Sequence, residues 1–238
     1  MTLQGPSMIN RRSLLKMAVG TTALALIPSA TLLAQTSGKR LAMLFDVRRC
    51  TGCISCSVSC SIENQVPVGR GRTQVSQCSI EHANGVSTLS VPHQCNHCEK
   101  PSCVEVCPVN ATYKRPEDGI VVIDYDKCIS CQRCVAACPY GARRKDPERK
   151  TPPEKCNFCV HRLEQGLLPA CVETCIGEAR IFGDLNDADS AIAKLVAEND
   201  VYGMLPASGN LPNILYIGLP TPKDDTKILK LSPLDWQR

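Results

Sequence analysis

Apolar positions in this chain come in short bursts rather than long amphipathic stretches. Arg40–Asp46 (RLAMLFD) and Gly119–Asp124 (GIVVID) are rich in strand formers, and each predicts a strand. Asn213–Gly218 (NILYIG) predicts another short strand. Asp187–Asn199 (DADSAIAKLVAEN) predicts a helix whose acidic start is capped by Asp187 or Asp189 and whose end suits Asn199. Near the N-terminus, Met17–Ile27 is an apolar run of 11 residues. It is too short to cross a bilayer and has the length of a signal h-region. No later segment approaches about 18 apolar residues, so the mature chain is expected not to span a membrane.

Cysteine changes this picture. There are 17 of them in 238 residues, while aromatic residues make up only 4%. Aromatic packing is therefore scarce, and disulfides or metal are the candidates to hold the middle together. Sixteen cysteines fall into four groups. The first is Cys50, Cys53, Cys56 and Cys60; the second is Cys95, Cys98, Cys103 and Cys107, followed by Pro108. The third is Cys128, Cys131, Cys134 and Cys138, followed by Pro139; the fourth is Cys156, Cys159, Cys171 and Cys175. Cys78 stands alone and is expected to be a spare, partly buried thiol.

The first and third groups have the spacing of the bacterial ferredoxin run, in which three thiolates wrap one [4Fe–4S] cluster. Steps of three residues in a tight loop point successive sulfurs at one compact inorganic core. The fourth cysteine lies beyond a short helical turn, such as Val135–Cys138, and reaches the neighbouring cluster. Zinc sites instead use thiolate pairs separated by a longer stretch. Cysteines three apart on one loop rarely meet disulfide geometry.

The groups repeat. Leu44–Cys50 aligns with Val122–Cys128, Cys95–Cys98 with Cys156–Cys159, and Cys103–Cys107 with Cys171–Cys175, giving the order A-B-A′-B′. The expected fold is α+β: two pseudo-symmetric bacterial ferredoxin-like modules with loop insertions and a C-terminal tail. One module comprises residues 86–149, holding groups two and three. The other comprises 40–85 plus 150–219, holding groups one and four. Residues 1–34 form a signal peptide and 220–238 a tail. The crossing-over of fourth cysteines then gives four ligand sets. These are Cys50, Cys53, Cys56 and Cys175; Cys156, Cys159, Cys171 and Cys60; Cys95, Cys98, Cys103 and Cys138; and Cys128, Cys131, Cys134 and Cys107. Four [4Fe–4S] clusters are expected. With all sixteen places filled, His97 and His161 are expected to pack or hydrogen-bond rather than ligate.

The formal charge is +4, and Arg11, Arg12 and Lys16 lie within residues 1–34, leaving about +1 without them. Four oxidised clusters would add roughly eight negative charges, so the loaded protein is expected to be acidic and nucleic acid is not an expected partner. Arg48, Arg49, Lys127 and Lys155 stand just before cysteine groups, where they are either solvated surface or offset cluster charge. No Gly-rich phosphate loop or nucleophile–base pair is legible, so no catalytic residue is expected.

The stretches CTGCISCSVSC, CNHCEKPSCVEVCPVNA, CISCQRCVAACPYGA and KCNFCVHRLEQGLLPACVETC resemble the four-cluster electron-transfer subunit of the complex iron–sulfur molybdoenzyme family. The resemblance covers residues 40–219. SIENQVPVGRGRT (61–73), DGIVVID (118–124) and CVHRLEQGLLPAC (159–171) resemble its tetrathionate-reducing branch. Dimethyl sulfoxide, polysulfide, thiosulfate and nitrite systems use similar subunits. Some members have tryptophan in place of the third cysteine of group three and hold a three-iron cluster there; Cys134 occupies that position here. The resemblance implies a non-catalytic relay of electrons from a quinol-oxidising, multi-span membrane subunit to a molybdopterin-containing catalytic subunit. Arg11-Arg12 with Leu14-Leu15-Lys16 resembles a twin-arginine signal, which implies export of the folded, cofactor-loaded protein to the periplasm.

Overall fold

The computed structural model describes residues 38–219, apart from 68, 83–84, 147 and 205–208, together with 227–233. The expected signal peptide and most of the expected tail lie outside the described residues. The described residues from Gly38 onward fall within one compact unit.

The centre is a three-stranded sheet in the order β6-β1-β7. β1 (Leu41–Asp46) pairs antiparallel with β6 (Arg180–Asp184) and parallel with β7 (Ile214–Ile217). Its near-continuous apolar run is what a strand covered on both faces requires. Met43 and Phe45 face one core, with Phe158, Ile120 and Tyr216; Ala42 and Leu44 face another, with Ile192 and Ile217. Helix α6 (Ala191–Glu198) covers that second face. Its N-cap is Ser190, whose Oγ accepts from Ala193 N at 3.2 Å, in place of the expected Asp187 or Asp189. Asn199 is the C-cap, as the sequence predicts.

A second sheet, β3-β2-β8, has no counterpart among the strands expected from sequence. β2 (Thr73–His82) and β3 (Gly85–Gln94) form a ten-pair hairpin from Thr73↔Gln94 to His82↔Gly85. The boundary expected at 85/86 falls at the start of β3, where Gly85 and Val86 pair with His82 and Glu81. Pro92 is tolerated because β3 is an edge strand. β8 (Lys227–Pro233), inside the expected tail, pairs antiparallel with β2. β4 (Thr112–Lys114) and β5 (Val121–Ile123) make a small hairpin.

The other helices are short and follow cysteines: α1 (Ser55–Glu63), α2 (Ser102–Glu105), α3 (Arg133–Ala136), α4 (Val160–Leu163) and α5 (Ala170–Glu173). α3 begins two residues before the turn expected at Val135. Among the described residues no helix is long and apolar enough to cross a membrane.

Candidate metal centres

Each cysteine group begins with a loop that turns through the left-handed region two residues after its first thiol. Those residues are Gly52 (φ 72°), His97 (φ 43°), Ser130 (φ 55°) and Phe158 (φ 54°). In the first and third groups a second turn follows at Ile54 (φ 63°) and Gln132 (φ 64°). Non-glycine residues adopt this conformation at a cost of about 1–2 kcal/mol each. Four loops holding it at one shared position are shaped for a common purpose: the turns keep neighbouring thiols on the inner side.

All seventeen cysteines are free thiols. Cys50, Cys53, Cys56 and Cys175 line one small cavity. Cys95, Cys98, Cys103 and Cys138 line a second. In each, three thiols come from one group and the fourth from another. Cys60, Cys156, Cys159 and Cys171 lie within electrostatic reach of one another. Asn64 Nδ2 links two of them, 3.8 Å from Cys60 Sγ and 3.5 Å from Cys159 Sγ. Cys134 likewise feels Cys128 and Cys131. Cys107 borders the surface depression it shares with Arg133 and Ala136 of α3. Ser102 Oγ donates to Ala137 O at 2.8 Å and ties α2 to α3 there.

Burial separates these places into outer and inner. Cys53 and Cys131 are exposed, Cys56 and Cys134 buried, and Cys50, Cys175, Cys128 and Cys107 intermediate, so the two outer sets share one pattern. Cys60, Cys156, Cys159 and Cys171 are all buried, as are Cys95 and Cys98. The inner places adjoin: Gln94 Nε2 donates to Cys156 Sγ at 3.5 Å, and Cys156 feels Cys95.

Burial, reinforced by neighbouring sulfurs, pushes the Cys60 and Cys98 thiols up to about 12. Buried thiols so grouped ionise together only around a cationic core. The backbone is arranged to receive such thiolates. Ala179 N donates to Cys175 Sγ at 3.2 Å, Phe158 N to Cys156 Sγ at 3.4 Å, and Thr112 N to Cys107 Sγ at 3.5 Å. Burial opposes ionisation of Cys107, but backbone N–H groups of Thr112, Val109 and Ala111 outweigh it and bring the thiol below its usual range.

Polar groups of the second cavity's lining residues are left without a hydrogen-bond partner: Asn96 Oδ1, His97 Nε2 and Arg143 Nη2. Two of these are potential donors, as a sulfide-bearing guest would need. Among the described residues, no three Cys, His, Asp or Glu side chains form a group that would hold a single metal ion. A four-iron core spreads its thiolates over a wider body than one ion does, and the sets of four separated thiols fit it. His97 packs as expected: it stacks on Phe158 at 3.8 Å, and its Nδ1 accepts from Val121 N at 3.1 Å. His161 Nε2 lies 2.8 Å from Glu63 Oε1.

The basic residues named from sequence divide. Arg48 pairs with Asp46 at 2.8 Å, Arg49 with Glu178 at 2.6 Å and Lys127 with Asp124 at 2.8 Å, all with half-exposed or exposed cationic side chains. Only Lys155 is buried, and its Nζ donates to the carbonyls of Val121 and Cys156. Burial lowers its ammonium pKa while the sulfurs of Cys95, Cys156 and Cys103 oppose that shift. Two buried cations went unnoticed: Arg143, 4% exposed, and Arg180, 3% exposed. Their signal was available, since each stands five residues after the last cysteine of a group, in CPYGAR and CIGEAR.

A family model for the 4Fe-4S dicluster domain matches residues 86–185. A tetrathionate reductase subunit of Salmonella typhimurium is 50% identical over 206 residues, which cover 83% of this chain and 80% of that protein. A tetrathionate reductase subunit of Archaeoglobus fulgidus is 43% identical, over 77% of this chain and 84% of its own length. The thiosulfate reductase electron transfer subunit of Salmonella typhi is also 43% identical, over 67% of this chain and 83% of its own.

Proposed function

This chain belongs to the iron–sulfur electron-transfer subunits of the molybdoenzyme reductases, and we propose that it carries four [4Fe–4S] clusters in a line and serves tetrathionate reduction. The first cluster is held by Cys50, Cys53, Cys56 and Cys175. The second is held by Cys60, Cys156, Cys159 and Cys171, the third by Cys95, Cys98, Cys103 and Cys138, and the fourth by Cys107, Cys128, Cys131 and Cys134. The observation that carries this is the meeting of four thiols from two distant segments at one cavity, seen for the first and third sets.

Bound clusters supply one-electron redox chemistry. The protein's own residues do the rest. Loops at Gly52, His97, Ser130 and Phe158 aim the thiols, backbone N–H groups stabilise the thiolates, and the main core packs around Cys95, Cys156 and Cys171 of the inner places. The order follows from adjacency, because the inner sets meet at Gln94 and Cys156 while the exposed Cys53 and Cys131 stand at opposite members of the series. Electrons would enter and leave at these two outer places. Apolar side chains beside them, Ile176 at 76% exposure and Ile129 at 54%, suit docking partners.

Those partners are a quinol-oxidising membrane subunit and a molybdopterin-containing catalytic subunit, in a complex facing the periplasm after twin-arginine export. Ligation of this kind alone would serve a polysulfide or thiosulfate reductase equally; the similarities to the Salmonella typhimurium and Archaeoglobus proteins favour tetrathionate. The test is anaerobic purification of the full chain with its partners. About sixteen iron and sixteen sulfide per chain, and quinol-dependent reduction of tetrathionate in preference to polysulfide and thiosulfate, are expected. A colourless chain containing zinc would overturn the cluster reading, and preference for another sulfur acceptor would overturn the substrate.

A further inference from the structure

Arg180 sits between two of the cysteine sets. Its Nη2 donates to Cys56 Sγ of the first set at 3.2 Å, and its charge also acts on Cys171 of the second. Nη1 donates to Gln94 Oε1 at 2.9 Å, Nη2 also to Thr73 Oγ1 at 2.9 Å, and the guanidinium lies 4.7 Å above the Phe45 ring. Among the described residues no carboxylate forms a salt bridge with it, and the charges that raise its pKa are the sulfurs of Cys171, Cys56 and Cys175. Arg143 has the corresponding place further along. It lines the cavity of the third set together with Cys103, and its charge acts on Cys103 and on Cys134 of the fourth. Nη1 donates weakly to Thr112 Oγ1 at 3.4 Å. Lys155 lies near Cys95 and Cys103 of the third set and Cys156 of the second.

A buried charge without a counter-ion is among the most costly features a fold can keep. A guanidinium holds its charge throughout. Both arginines are therefore explained only if anions accompany them, and a cluster with four thiolates is such an anion. An electron added to one cluster repels the next, and a fixed cation between them offsets that repulsion.

We propose that Arg180 and Arg143 are electrostatic spacers, one between the first and second clusters and one between the third and fourth, that raise the reduction potentials of the two clusters each one separates. This rests on the four-cluster reading above. Each arginine favours the reduced form of both its neighbours and leaves the distant pair nearly untouched.

The experiment is a potentiometric titration followed by electron paramagnetic resonance, on the full chain purified anaerobically with its partner subunits. Iron and sulfide are counted first, and Cys53→Ser and Cys131→Ser variants assign the outer signals. In Arg180→Gln the first and second clusters should become harder to reduce by about tenfold in equilibrium, ~59 mV for one electron, while the fourth stays put. Arg143→Gln should do the reverse. Arg180→Lys and Arg143→Lys should restore most of each shift, since they keep the charge and lose the fork. Unchanged potentials in a fully loaded Gln variant, or an equal shift of all four clusters, would overturn the proposal. So would a Lys variant as shifted as its Gln partner. If one Gln variant loses its clusters, the other and both Lys variants still decide the matter. A wild-type chain short of iron would instead refute the cluster count, which is a separate outcome.

Discussion

Ala179 N donates to Cys175 Sγ at 3.2 Å, and the next residue, Arg180, reaches Cys56 Sγ at 3.2 Å across 124 positions of sequence. One short segment thus serves its own cysteine with the backbone and a distant cysteine group with a side chain. β6 starts at Arg180, so pairing with β1 fixes where both sulfurs sit.

Cys175→Ser should therefore damage the cluster of Cys50, Cys53 and Cys56 rather than that of Cys156, Cys159 and Cys171. The expected loss is up to about four iron per chain, with the other clusters' paramagnetic signals kept. Loss confined to the Cys156 cluster would show that the fourth cysteine does not cross over.

Gly177 lies against the Arg49 carbonyl, and a Cβ there would stand 2.2 Å from that oxygen. Backbone meets backbone, so neither side can swing away. Gly177→Ala should displace the Cys175 loop, lower thermal stability and release iron from the first cluster. Gly141→Ala is the control: it has φ +57° and open space around it, so strain of about 1–2 kcal/mol is expected without iron loss. Calorimetry with iron analysis on both variants separates the two effects.

Asp46 is held by Arg48 through two side-chain hydrogen bonds of 2.8 Å each. That pairing keeps the carboxyl below its usual range. Because the folded value is the lower one, the contribution to stability is fully present above the unfolded carboxyl value of about 3.9 and is lost only as pH falls through the folded value. Asp46→Asn should thus cost about 1–2 kcal/mol, moderated by the exposure of Arg48, and the cost should be equal at pH 7 and pH 5.5. Denaturant titration at both pH values checks this; a cost that shrinks markedly by pH 5.5 would contradict it.

Cys78 is 6% exposed in β2 and packs in the main core, with burial alone pushing its thiol up. Cys78→Ser should leave all iron in place and cost about 1–3 kcal/mol for the buried hydroxyl. Iron content and a melting curve measure the two quantities together. A missing cluster would make Cys78 a ligand.

Strands β1, β5 and β7 were legible as short apolar runs rich in strand formers, and helix α6 by its acidic start and the asparagine at its end. The β2–β3 hairpin was not. Its buried positions include Ser76, Ser90 and Gln94, spread over both faces, so no alternation of apolar and polar residues marks it, and Pro92 argues against a strand. The helix cap moved from aspartate to Ser190 because Ser190 Oγ also donates to Asp184 O at 2.6 Å, joining the helix to β6.

The chemistry was already set by the order of residues. Thiols three residues apart on one loop are held by local backbone geometry, and the same left-handed turn recurs two residues into each group. That order also carried the repeat, and with it the family. Folding in three dimensions settled which distant segment faces each loop, which thiols meet solvent, and where the uncompensated cations lie. Arg48 and Lys127 stand next to cysteine groups in sequence yet turn their half-exposed or exposed side chains to Asp46 and Asp124, while Arg143 and Arg180 are buried among sulfurs. The difference is one of range: loop shape depends on a few neighbouring dihedral angles, whereas burial and charge proximity depend on strand pairings made across more than a hundred residues, such as β1 with β6.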